Sequence, residues 1–141
     1  MKKTKLKKHS KQEIPKLKFV LDRVFSQAMR KYYSFYKQFI FNGKIICYTC
    51  DTIIPLDKAQ VSHFISRTHH SLRWEPRNVR LCCARCNIWL NGNLTEFTLR
   101  LIDECGRAEV EWLRQEGRKI RKWTPQELQA LITQYGNTKV E

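Results

Sequence analysis

Two cysteine pairs dominate the chemistry open to this 141-residue chain. Cys47-x-x-Cys50 and Cys83-x-x-Cys86 each offer two thiols from one tight turn, with 32 residues between the pairs. Two such turns facing one another complete a tetrahedral shell of four sulfurs, the donor set that selects structural Zn2+. A closed four-sulfur site ties segments together but performs no hydrolysis, so any reaction must lie with what the zinc positions. His63 and Asn78 stand between the pairs, and Asn87 directly follows the last cysteine. Cys82 and Cys105 have no partner at knuckle spacing and read as plain buried thiols.

The elements that must present these residues are legible in outline. IICYTCDTII (45–54) reads as a short hairpin turned around Cys47 and Cys50. AQVSHFIS and NVRLC have the β-branched and aromatic content of strands, which puts His63 in one strand and Asn78 at the opening of the next. The polar stretch RTHHSLRWEPR loops between them. Upstream, Leu17, Leu21, Val24, Ala28, Tyr32, Phe35 and Phe39 step by three or four, a helical stripe with a stop signal at Asn42-Gly43. Helices resume near Ala84. Asn93 and Glu96 have capping-box spacing for LTEFTLRLIDEC, which stops at Gly106. RAEVEWLRQE makes a short further helix before Gly117. Thr124-Pro125-Gln126-Glu127 caps a last helix closed by Gly136. The expected fold class is α+β, a small, mainly helical domain around a zinc-braced centre. Its expected parts are a disordered basic tail (1–13), a basic amphipathic helix (14–44), the zinc-braced segment (45–93) and C-terminal helices (94–141).

Charge supplies a class of partner. The formal net charge is +14 and the pI about 9.8. Residues 1–44 hold 13 Lys/Arg against Glu13 and Asp22 alone, whereas residues 93–141 carry eight of each sign. A chain this basic binds polyanions, and charge alone gives salt-sensitive, sequence-blind contact with phosphates. Lys16, Lys18, Arg23, Arg30 and Lys31 on the first helix, with Arg67, Arg73 and Arg80 nearer the cysteines, are the candidate DNA contacts. Trp74 and Trp89 read as core. MKKTKLKKHSK runs into further charge and not into an apolar segment, so no secretory signal is expected. No stretch approaches the roughly 20 apolar residues of a membrane span. Six cysteines without an export signal point to a reducing, cytoplasmic setting and to metal binding over disulfides.

SHFISR, NVRLCCARCN and the spacings of 15 and 9 residues from His63 to Asn78 to Asn87 resemble the zinc-bearing HNH (ββα-metal, His-Me finger) nucleases. CYTC, HFISR, LRWEPRNVRLCCARCN, NGNLTEF and LIDECGRAEVEWL together resemble the NinG (Rap) family of phage recombination proteins, from about Val24 to Leu113. The resemblance implies a ββα finger over residues 45–93 and an endonuclease acting on Holliday junctions and other branched DNA in the host cytoplasm. Within it, His63 takes the proton from an attacking water and Asn87 offers a neutral oxygen to catalytic Mg2+ or Mn2+. Asn78 orients the loop or the imidazole. Ser62 stands where many HNH enzymes carry an Asp or His as second metal ligand, which leaves Asp57, His69, His70 or water for that place. A homodimer spanning a junction and contacts with recombination proteins are the partners this reading adds to DNA. The alternative is a non-catalytic zinc module that binds DNA or serves as a recombination accessory.

Overall fold

The computed structural model describes residues 13–137, with the side chains of Phe39 and Ile40 excepted. The expected tail therefore lies outside the described residues, apart from Glu13. That residue opens α1, which runs Glu13–Tyr36. Leu21, Phe25, Ala28, Met29 and Tyr33 form its buried stripe, the three-and-four spacing that puts apolar side chains on one face. The helix is shorter than the stripe through Phe39 predicts. Asn42 and Gly43 do not end it; they turn a hairpin between β1 (Phe39–Phe41) and β2 (Lys44–Ile46). Both have positive φ, 50° and 69°, the backbone pair that a tight two-residue turn demands and that Asn-Gly supplies cheaply. The expected helix 14–44 is thus a helix followed by two strands.

β2 pairs antiparallel with β3 (Ile53–Pro55), Ile45 opposite Ile54, so the hairpin around Cys47 and Cys50 forms as its sequence predicts. After a short 3-10 turn, β4 (Gln60–His63) pairs antiparallel with β5 (Val79–Cys82), with His63 opposite Val79 and Ser62 opposite Arg80. Gln38 joins the two sheets. It is buried, its Nε2 donates to the Ile46 and Leu81 carbonyls at 2.9 and 2.7 Å, and its Oε1 accepts from Leu81 N at 2.9 Å. A buried amide with these bonds fixes the distance between β2 and β5, the two strands that lead into the cysteine turns. Three helices complete the chain: α2 (Leu94–Cys105), α3 (Arg107–Gly117) and α4 (Pro125–Gly136). The Thr124–Glu127 capping box opens α4 as predicted. The Asn93–Glu96 box does not form, because Asn93 is left-handed with φ 50° and makes no side-chain cap bond.

Strand alternation divides β5 between two cores. Val79 and Leu81 join α1, Trp74 and Leu128 of α4 in one cluster. Cys82 joins Cys47, Cys86, Phe64, Leu72, Phe97, Leu101, Val110 and Leu113 in the other. The architecture is α+β, helices around two small antiparallel sheets. Among the described residues no helix is long and apolar enough to cross a membrane.

Candidate metal centre and adjoining cleft

The two cysteine turns converge. The Sγ atoms of Cys47, Cys50, Cys83 and Cys86 all lie within 4.8 Å of one another, and those of Cys50 and Cys83 are 3.7 Å apart. Sulfurs around a tetrahedral zinc with bonds of about 2.3 Å stand about 3.8 Å apart. The cluster fits a metal such as zinc. Tyr48 N donates to the Leu81 carbonyl at 3.0 Å, which docks the first turn on the strand that feeds the second. The Cys83 amide donates to Cys47 Sγ at 3.3 Å, and Asn93 Nδ2 points to Cys86 Sγ at 3.8 Å. Such donors relieve the charge of metal-bound thiolates, and this is where the Asn93 side chain goes in place of a helix cap. Cys82 is buried outside the cluster with Thr49 Oγ1 donating to it at 3.8 Å. Cys105, which reads as a buried thiol, is exposed at the end of α2.

Beyond Cys83 the chain makes a five-residue π-helical turn, Arg85–Trp89, and then Asn91, Gly92 and Asn93, all with positive φ. Wide turns of this kind recur at functional sites. The turn brings Asn87 to the wall of a cleft of about 380 Å³, which it shares with His63, Arg67, Arg73, Asn91 and, from α1, Asp22.

His63 Nε2 lies 2.9 Å from the Arg73 carbonyl. A carbonyl only accepts, so Nε2 carries the proton and neutral His63 keeps its lone pair on Nδ1. Burial pushes this imidazole below its ordinary value, with the nearby Arg67 and Arg73 charges acting in the same direction. Asn87 Nδ2 donates to Gln60 Oε1 at 2.8 Å; among the described residues its Oδ1 accepts no hydrogen bond. Asn78 is fully buried and does not line this cleft. Its Oδ1 accepts from Ile65 N at 2.8 Å and its Nδ2 donates to the Ile65 and Leu72 carbonyls at 2.9 and 3.3 Å. It thereby closes the loop between β4 and β5. Asn78→Ala should lower stability by roughly 2 kcal/mol or more, since it orphans buried backbone groups. A denaturant titration checks this, and an unchanged midpoint would show that the loop holds without the amide.

Ser62 is fully buried on the strand face opposite His63, and neither it nor Asp57, His69 or His70 lines the cleft. His69 Nδ1 is instead 3.0 Å from the Gly117 carbonyl. Arg80, a candidate phosphate contact by sequence, is 4% exposed. Its guanidinium is spent on Glu104 at 3.1 Å and the Tyr33 hydroxyl at 2.8 Å. Arg30 donates to the Leu56 and Ala59 carbonyls. Lys16, Arg23 and Lys31 are exposed on α1 and Lys18 is half-buried, but none lines the cleft. Trp74 is core; Trp89, which also reads as core, is 78% exposed. It lies beyond Asn87 at the end of the π turn, where the chain leaves the packed surface.

Asp22 carries no sequence signal, yet it organises the cleft's cations. Its carboxylate accepts from Arg73 Nε and Nη2 at 3.0 and 2.5 Å, from Trp74 Nε1 at 2.9 Å and from Arg67 Nη2 at 3.1 Å. These partners hold its carboxyl below the usual carboxylate range despite burial, which acts the other way.

Comparison with known proteins supplies the lineage. A family model described as "Bacteriophage Lambda NinG protein" matches residues 1–140. Protein ninG of Salmonella phage P22 is 27% identical over 89 residues, 63% of this chain and 43% of that protein. Protein ninG of Escherichia phage lambda is 26% identical over the same length, again 63% and 43% of the two chains. The chain thus spans less than half the length of the relatives it matches, and no solved structure matches it with significance. With nearly its whole length covered by one family model, the chain belongs to the NinG family of phage proteins.

Proposed function

We propose that this chain is a metal-dependent DNA endonuclease of the HNH type that cleaves branched recombination intermediates, Holliday junctions above all. The observation that carries the reading is His63 itself. It is a half-buried imidazole on a cleft wall, with its proton held on Nε2 by the carbonyl that accepts from it, a depressed proton affinity and a free lone pair on Nδ1. That is the state a general base needs to take a proton from water near pH 7. The order β4, loop, β5, turn, with His63 on the first strand and Asn87 on the turn after the cysteines, agrees with a zinc-braced ββα finger. Arg67, 60% exposed on the cleft rim, is the cation free enough to meet a phosphate.

A catalytic cation would have Asn87 as its protein ligand, with water and a substrate phosphate completing the shell, a set that suits Mg2+ or Mn2+. When bound, such an ion neutralises charge on the phosphate and the leaving oxygen. The chain's own share is to hold the water's base at His63 and the phosphate at Arg67. Structural zinc held by the four cysteines would keep Asn87 in register with the His63 strand.

The proposed substrate class rests on the resemblance drawn from the sequence and on the weakness of its base-reading features; shape and deformability are then the available selectivity. Initial rates on a four-way junction, a flap and the component linear duplexes, with and without Mg2+, test this. Junction cleavage is expected to exceed duplex cleavage and to require the metal. Equal rates would leave a general nuclease.

One observation favours the second reading, a non-catalytic zinc module that binds DNA. The cleft offers a divalent cation little beyond Asn87, because Ser62 is buried and the Asp22 carboxylate is saturated with donors. That reading expects metal-independent binding and no strand scission.

A further inference from the structure

Asp22 is the one acidic side chain among the described residues that line the cleft, and it comes from α1, outside the segment that holds His63 and Asn87. Four donors converge on its two oxygens. They are not equivalent. Arg73 is held by two bonds with its side chain 14% exposed, whereas Arg67 has one bond at 3.1 Å and is 60% exposed. The residue held most firmly is thus the one whose carbonyl meets His63 Nε2. The neighbouring Trp74 indole, anchored on the same carboxylate, immobilises the next position as well.

We propose that Asp22 is a positioning residue for His63: by clamping Arg73 and Trp74 it fixes the Arg73 carbonyl, which keeps the proton on Nε2 and leaves Nδ1 as the base. The inference rests on reading His63 as the general base of the cleft. A carbonyl in a loop is a poor anchor unless the loop is held, and the Asp22 carboxylate joins that loop to the longest helix of the described chain. Its charge has a second effect. The charged groups facing His63 are Arg67, Arg73 and Asp22, so with His63 neutral the cleft carries one net positive charge, matched to a single phosphodiester. Without the carboxylate both guanidinium groups press on the imidazole unopposed.

The test uses the zinc-loaded 141-residue chain, wild type and Asp22→Asn, read two ways. Nitrogen-15 NMR of the His63 ring reports tautomer and titration midpoint without any cleavage. The wild type should show Nε2–H. Asp22→Asn should show a mixed tautomer and a midpoint moved to lower pH, because the anion that favours imidazolium is gone and the two arginines remain. On a junction with Mg2+, the same variant should lose roughly tenfold to a hundredfold in kcat, the scale expected of a misplaced catalytic group, with a smaller change in KM. Arg73→Lys keeps the backbone carbonyl but loses the two-pronged clamp, and it should reproduce the mixed tautomer; it also serves if Asp22→Asn fails to fold. A folded variant of either kind with the wild-type tautomer and midpoint would overturn the proposal. Absence of cleavage by the wild type would strike the endonuclease reading instead, and the ring spectra would still decide the role of Asp22.

Discussion

Stripping the metal from the four-cysteine centre, or replacing Cys83 by serine, is expected to unfold the middle of the chain and to abolish every activity with it. The second core is built on the cysteines themselves: Cys47 and Cys86 pack with Phe64, Leu72, Phe97, Leu101, Val110 and Leu113. β5 runs directly into Cys83 and pairs with the strand that bears His63. A structural zinc contributes on the order of 10 kcal/mol to folding in small zinc modules. That is comparable to the whole stability of an ordinary domain, about 5–15 kcal/mol, so loss of an ion held at these cysteines should take the strands around it too. Elemental analysis should give one zinc per chain, and chelation should erase the near-ultraviolet signal of the buried aromatics together with DNA binding by this region. A protein that keeps its spectrum and melting temperature after quantitative zinc removal would refute the structural role.

His63→Ala is expected to lower phosphodiester cleavage by about 10²- to 10⁴-fold, the usual cost of a general base, while DNA affinity stays within a few-fold. Affinity should rest on the Lys and Arg residues that stay exposed, such as Lys16, Arg23, Lys31 and Arg67, which the substitution leaves in place. The pH dependence follows from the direction of the shift at this site. The working form is the neutral imidazole, and burial depresses its proton affinity below the ordinary 6.5. Cleavage should therefore be level around pH 7 and fall only as the pH drops through a midpoint below 6.5, where imidazolium forms. A midpoint above 7 would remove His63 from the role of base, as would full activity in His63→Ala. Unchanged binding with no cleavage by either protein on any substrate would favour the non-catalytic module.

The two cysteine pairs and most of the secondary structure could be read along the chain because each depends on neighbours in sequence. Ligand chemistry dictates both the residue type and the spacing of Cys47, Cys50, Cys83 and Cys86. The Thr124–Glu127 box closes over three residues, and the β-branched runs that pair as β4 and β5 announce themselves locally. Ambiguity begins where one local signal serves two geometries. Asn42-Gly43 can stop a helix or turn a hairpin, and the choice fell to Gln38, whose buried amide bridges β2 and β5. Tertiary structure alone decided which charges are available. Arg80 and Arg67 look alike in sequence, but Glu104 and Tyr33 meet the first in the interior and the second stays on the cleft rim. Asp22 had no signal at all, since its partners Arg67, Arg73 and Trp74 lie 45 to 52 positions away. Backbone periodicity and metal-ligand spacing are local properties of the chain. The partner of a charge depends on which elements pack together, and that is settled only when the cores close.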